Sequence, residues 1–276
     1  MTPAAGTPDD SLDTVAGWFH RIDRTLFRFL LGTQRSRGER GDLAELGVFQ
    51  GQSAILLGDF LADGETFTVV DLFEDPATDP ANRRENDSTY DGLTQQIFEN
   101  QYLRFHRQLP TVVRGYSSTI VAHAQAGTHR FVHVDASHLY AHVQADIVAA
   151  RTLLAPNGLL VLDDIRTAHA PGVAAAAWGA VLNDGLRAVA ISEYKLYCTW
   201  GDAAGWVDAL CQWLPSSGLG WECQEVAGRT LVRTWTLGDE ATSGAPRRRS
   251  LARVFRAVAR RLSRRAAAGL PGPGRT

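Results

Sequence analysis

The sequence is nearly without lysine: Lys195 stands alone, and the other 27 of its 28 basic residues are arginine. With plentiful alanine and glycine, that bias reads as the mark of a GC-rich bacterial genome. Cysteine is scarce as well. Cys198, Cys211 and Cys223 are odd in number, scattered, and form no CxxC pair. That argues against a disulfide framework and fits a reducing compartment. No apolar run approaches the roughly 20 residues that a membrane span requires. The opening Thr2-Pro3-Ala4-Ala5, with Asp9 and Asp10 behind it, lacks the basic start of a secretory signal. These absences set the expectation of a cytoplasmic protein.

Acids are missing beyond Glu240, where ten arginines fall between Arg247 and Arg275. The formal charge of −2 therefore hides an acidic body, with 18 basic against 30 acidic residues in the first 240. An acidic body argues against nucleic acid as the main partner, because phosphate binding needs a basic face.

The length of 276 residues, 45% of them hydrophobic, suits one globular domain of roughly 200 residues with extensions. The expected division is a helical extension over 1–38, a domain over 39–240 and a basic, partly disordered tail over 241–276. Apolar positions at three and four predict one amphipathic helix over 10–31. Strand and helix patterns then alternate. Strands are predicted at 43–49, 67–71, 111–114, 131–135 and 159–164, and helices at 53–61, 93–109, 117–125, 139–154 and 171–182. Segments 187–192, 195–200, 221–226 and 230–235 read as further strands, the last two as a hairpin. This alternation predicts an α/β fold: a Rossmann-like, mostly parallel sheet covered by helices on both faces.

Four of the strands end at a residue with chemistry in reach: Phe49, Asp71, Asp135 and Asp163. Open α/β sheets bind ligands outside the carboxyl ends of their strands. Gly47 and Gly51 stand between a strand and a helix, where bare backbone lets amides approach a polar ligand. Ser53 is placed to cap that helix. Asp71 lies at the end of the next strand, where an acid can accept both ribose hydroxyls. The dinucleotide fingerprint GxGxxG is absent, because Phe49 stands at its second glycine.

The segment Glu45-Leu46-Gly47-Val48-Phe49-Gln50-Gly51-Gln52-Ser53 resembles the first motif of class I S-adenosylmethionine-dependent methyltransferases. The resemblance covers roughly residues 42–200. It implies a seven-stranded sheet and S-adenosylmethionine as cofactor, with the methionine part at Glu45, Gly47, Val48, Phe49, Gly51 and Ser53. It implies the ribose on Asp71 and the adenine near Gly115 and Ser117, with Asp135 also at the cofactor.

Asp135, Asp163 and Asp164 fall on adjacent predicted strand ends. Three carboxylates brought together repel one another unless a cation or protons intervene. An oxygen-rich site of this kind suits Mg²⁺, which can lower the pKa of a substrate hydroxyl. Val134-Asp135-Ala136-Ser137-His138 with Leu162-Asp163-Asp164 resembles the metal site of Mg²⁺-dependent O-methyltransferases. The double acid is similar to the macrocin type, which acts on sugar hydroxyls of natural products. The general base is open between Asp135, His138 and His169. His133, in a buried strand, reads as structural, and Lys195 as a solvated cation.

The expected partner is a small-molecule substrate. The polar stretch 74–92 is either a lid or a disordered loop. The N-terminal helix has three open roles: core packing, covering the site, or a homodimer contact. The tail carries apolar residues at helical spacing among arginines, which suits an anionic surface or an acidic partner. Two rival functions remain. One is a metal-independent N- or O-methyltransferase using a histidine base, and the other a catalytically inactive relative of the fold that serves as a scaffold.

Overall fold

The computed structural model describes residues 7–90 and 92–238, so the expected basic tail lies outside the described residues. Five strands, β1 (Asp42–Leu46), β2 (Phe67–Asp71), β3 (Thr111–Arg114), β4 (His129–Val134) and β5 (Leu154–Leu162), pair parallel to one another. β1 and β4 are buried along almost their whole length, as strands covered on both faces must be. Four more strands follow: β6 (Arg187–Ile191), β7 (Leu196–Thr199), β8 (Leu219–Val226) and β9 (Arg229–Thr236). The order across the sheet is β3-β2-β1-β4-β5-β7-β6-β9-β8.

The sheet thus has nine strands rather than seven. The hairpin β8–β9 does not stand apart. It joins the sheet by parallel pairing of β9 with β6, Ala190 opposite Val232, and so buries Leu231 and Val232. β7 inserts between β5 and β6, antiparallel to both.

Helices cover both faces. On one lie α2 (Arg21–Ser36), α3 (Gln52–Gly58), α5 (Gln95–Tyr102) and α8 (Ala203–Trp213), and on the other α6 (Tyr140–Leu153) and α7 (Pro171–Asn183). The sequence reading missed α8. Its signals are Trp206, Val207 and Leu210, one buried stripe at helical spacing, and the Asp202 cap on Gly205 N–H. Among the described residues no helix is long and apolar enough to cross a membrane.

The expected helix over 10–31 is broken. A single helical turn, α1 (Asp9–Leu12), is followed by an irregular segment, and α2 starts only at Arg21. Gln52 holds the break open. Its Nε2 donates to the carbonyls of Leu12 and Val15, at 3.1 and 2.6 Å, and Phe19 N–H donates to its Oε1 at 3.1 Å. Three backbone groups that a continuous helix would need are thereby taken up by one side chain. Gly17 fits because a Cβ there would lie 2.7 Å from Gln52 Oε1. α2 itself docks through a buried pair, Tyr197 Oη donating to Asp23 Oδ1 at 2.6 Å.

The polar stretch that reads as a lid or a loop carries a helix, α4 (Pro80–Thr89). Asp79 caps it by accepting from Ala81 and Asn82 N–H, with Pro80 in the first turn where its missing donor costs nothing.

Replacing Gln52 by Ala strands three buried backbone groups. The expected result is a loss of about 1–3 kcal/mol in stability, read by urea denaturation against the parent protein.

Candidate active site

A cavity of about 900 Å³ opens at the carboxyl ends of the central strands. It lies where the strand order reverses, with β2 and β3 on one side of β1 and β4 and β5 on the other. Its floor is the turn after β1. Gly47, at φ 82°, lets that turn press against the end of β4, because a Cβ there would lie 2.1 Å from the Asp135 carbonyl oxygen. Phe49 adopts a left-handed backbone, φ 47°, which a bulky residue holds only where its surroundings fix it.

Asp71 does the fixing. Its Oδ2 accepts from Val48 N–H at 2.8 Å and Phe49 N–H at 3.1 Å, and its Oδ1 from Phe73 N–H at 2.9 Å. Burial pushes its carboxyl up, and those amides oppose the shift. Asp71 lines the cavity, as do Gly47, Val48, Phe49 and Ser53 of the expected cofactor set. Gly115, Ser117 and Asp135 line it too, whereas Glu45 and Gly51 do not. Gly51, in the left-handed region, is itself the N-cap of α3. Ser53 is not the cap, because its hydroxyl donates to Glu45 Oε1 at 2.5 Å.

Glu45 lies beneath the cavity, fully buried, and begins a chain of polar contacts. Its Oε1 also meets His133 Nδ1 at 2.7 Å. The other ring nitrogen, Nε2, faces Lys195 Nζ at 3.0 Å. Lys195 Nζ is ion-paired to Asp163 Oδ2 and lies 3.5 Å from Asp135 Oδ2. Lys195 is 1% exposed, so the reading of a solvated cation is corrected. The register explains its place: Leu162 of β5 pairs with Leu196 of β7, so the next residues outward, Asp163 and Lys195, face one another.

These contacts set the charges. Burial drives Asp135 well above the usual carboxylate range, and the negative Asp163 adds to it. Burial would also raise Asp163, but the Lys195 charge and the hydrogen bond with Asp135 outweigh it and hold it low. Burial alone would lower Lys195, yet Asp163 and Asp135 together push it above the ordinary lysine value. Burial, then the Lys195 charge, drives His133 well down, so its ring is neutral.

Asp164 lines the same cavity but faces elsewhere. In a left-handed backbone conformation, φ 55°, it meets His138 Nε2 at 2.7 Å and accepts from Thr167 Oγ1 at 2.6 Å. Burial opposes, but those hydrogen bonds bring it down to about 2. His169 lies edge-on to His138, ring centroids 5.4 Å apart, and both line the cavity. The expected trio of acids is therefore a pair, Asp135 with Asp163, and a separate Asp164–His138 couple.

His133, Asp135 and Asp163 each offer one ligand atom, all within 4.8 Å of one another. The Lys195 ammonium contacts all three residues. A divalent ion with oxygen ligands at about 2.0–2.1 Å cannot share that space with it, so the arrangement does not fit Mg²⁺ at these carboxylates.

The cavity's outer wall comes from the segment before α2 and from the stretch 74–92, both expected as possible covers of the site, though the sequence singled out none of the wall residues Trp18, His20 and Tyr90. His20 stacks on Tyr194, ring centroids 3.5 Å apart, at the start of α2. Trp18, Phe49 and Tyr90 form an aromatic cluster with centroids 5.1–6.2 Å apart, and Trp18 remains 58% exposed. Trp18 and His20 become visible only once the helix break is known, whereas Phe49 is already expected at the cofactor. Lys195 had a signal, its solitude in an arginine-rich chain.

Residues 44–165 match the family model described as a methyltransferase domain. No curated protein matches the chain. Among solved structures, the O-methyltransferase NovP superposes with a TM-score of 0.52 at 16% identity, over 64% of this chain and 79% of that one. Cofactor-bound Rv0187 from MTB does so with a TM-score of 0.50 at 14% identity, over 70% and 88%. At these identities the likeness is one of fold.

Burial pushes Glu45 up to about 8 from 4.5, with the Ser53 hydroxyl opposing. The folded state then favours the protonated carboxyl, and its contribution to stability is fully present below pH 4.5 and lost as pH rises through 8. Glu45→Gln should remove this dependence, so the parent should lose stability relative to the variant across that window in denaturation curves. A constant difference would contradict the assignment.

Proposed function

We propose that this chain, whose residues 44–165 match a family model described as a methyltransferase domain, transfers a methyl group from S-adenosylmethionine to a hydroxyl oxygen of a small molecule. The observation that carries the reading is Asp135. It sits at the end of β4 on the cavity, its side chain 33% exposed, with a proton affinity raised above that of an ordinary carboxylate. A group so tuned can take a proton from an alcohol better than a free aspartate can.

The cavity fits the cofactor. It lies at the switch point of the sheet, with Asp71 at the end of β2 where ribose hydroxyls are accepted, and Gly115 and Ser117 beyond β3. Its volume of about 900 Å³ leaves room for an acceptor. The bound cofactor supplies an electrophilic sulfonium methyl. Asp135 would receive the acceptor's hydroxyl proton as that oxygen takes the methyl group, with the sulfur–methyl bond breaking and the neutral thioether leaving. Asp163 stays ionised beside Lys195 and keeps negative potential next to that proton. Trp18, Phe49, Tyr90 and His20 offer flat faces on which an acceptor can stack, so alignment comes from the wall the helix break creates. A natural-product or sugar hydroxyl as the acceptor follows from the sequence resemblance alone, not from the arrangement of the acids.

One observation favours a second base. His138 is oriented by Asp164 at 2.7 Å and lines the same cavity. The two readings separate by substitution. Asp135→Asn should lower kcat by about 10²–10⁴-fold, while His138→Gln keeps most of it. The reverse pattern would assign the proton to His138.

Calorimetry with S-adenosylhomocysteine should show one site per chain, weakened by Asp71→Ala. No heat at millimolar ligand would sink the enzyme reading and leave a scaffold of the same fold.

A further inference from the structure

We propose that the Lys195 ammonium is the resident cation of this site and stands where a divalent metal would otherwise bridge Asp135 and Asp163. The inference deepens the methyl-transfer reading and rests on it for its purpose.

The donor count supports it. A lysine ammonium has three N–H donors and no acceptor. Lys195 Nζ has three acceptors around it: His133 Nε2 at 3.0 Å, Asp135 Oδ2 at 3.5 Å and Asp163 Oδ2. His133 is set to accept. Its Nδ1 faces Glu45 Oε1 at 2.7 Å, which holds the ring proton there and leaves the Nε2 lone pair for the ammonium. Glu45 is in turn fixed by the Ser53 hydroxyl. The chain Ser53–Glu45–His133–Lys195 is thus a mount that aims one ammonium at two carboxylates.

The surroundings exclude a second cation. Lys195 and His133 are 1% and 0% exposed, and the Phe19 ring lies over Nζ at 5.6 Å, a cation–π roof supplied by the segment before α2. The third acid of a metal site is turned away, with Asp164 held by His138 and Thr167. An arginine fork would not do here. The site wants a compact point charge with three radiating donors, and 27 of the chain's 28 basic residues are arginine while this one is not. Lys195 acts through Asp135 and Asp163 and is a positioning residue.

The test uses the full chain and Mn²⁺, with free Mn²⁺ followed by its electron paramagnetic resonance signal. The parent protein should take up no more Mn²⁺ than Asp163→Asn does. Lys195→Met keeps the length and removes the charge, so it should gain a Mn²⁺ site at least tenfold tighter than any in the parent. One Mn²⁺ bound by the parent and lost in Asp163→Asn would overturn the proposal, as would a folded Lys195→Met that gains none. Where Lys195→Met does not fold, the parent against Asp163→Asn decides alone. S-adenosylhomocysteine binding and methyl transfer should be unchanged by EDTA. Activity lost to EDTA and restored by Mg²⁺ would also overturn it. Absence of S-adenosylhomocysteine binding would strike the methyl-transfer reading and leave the Mn²⁺ result standing.

Discussion

Two carboxylates at the ends of β4 and β5 face one ammonium at the start of β7, and the site is built around that contact. Buried charges persist only when paired and hydrogen-bonded, and breaking such a pair by removing one partner costs about 3–5 kcal/mol. Here the pairing also divides labour between two identical side chains. Asp163, beside Lys195, stays ionised, while Asp135, further from Nζ, buried and next to the negative Asp163, is left with the higher proton affinity. Environment alone makes one aspartate a counter-ion and the other a candidate base.

The same economy shows in the turn after β1. One oxygen of Asp71 takes the Val48 and Phe49 amides and so holds Phe49 in a left-handed conformation, while the other takes Phe73 N–H. Gln52, one residue into α3, fixes the opposite wall by breaking the N-terminal helix. The first turn of α3 therefore organises the floor through Ser53 and Glu45, and the wall through Gln52.

Much of this was legible in the sequence. Strand ends at or beside Asp71, Asp135 and Asp163 follow from short apolar runs closed by acids, whereas β1 stops at Leu46 and leaves Phe49, expected at its end, in the turn; the parallel core follows from the alternation with helices. Three things were not legible, each for a physical reason. The helix break at Gly17 depends on the distant side chain of Gln52, so local periodicity reads through it. The place of Lys195 depends on β7 entering between β5 and β6, which no local pattern encodes. The direction of Asp164 depends on its left-handed backbone, which turns it toward His138 although it adjoins Asp163. Residue identity located the acids, but strand order and backbone hand decided which of them meet.

On this reading cofactor, Asp135 and the Lys195 ammonium share one site, with no metal between the carboxylates. A crystal structure of the chain grown with S-adenosylhomocysteine and Mg²⁺ tests it most directly. The expected result is the ligand in the cavity with its sulfur toward Asp135, and Lys195 Nζ still bridging Asp135 and Asp163. A Mg²⁺ ion coordinated by both carboxylates, with the Lys195 side chain displaced, would contradict it.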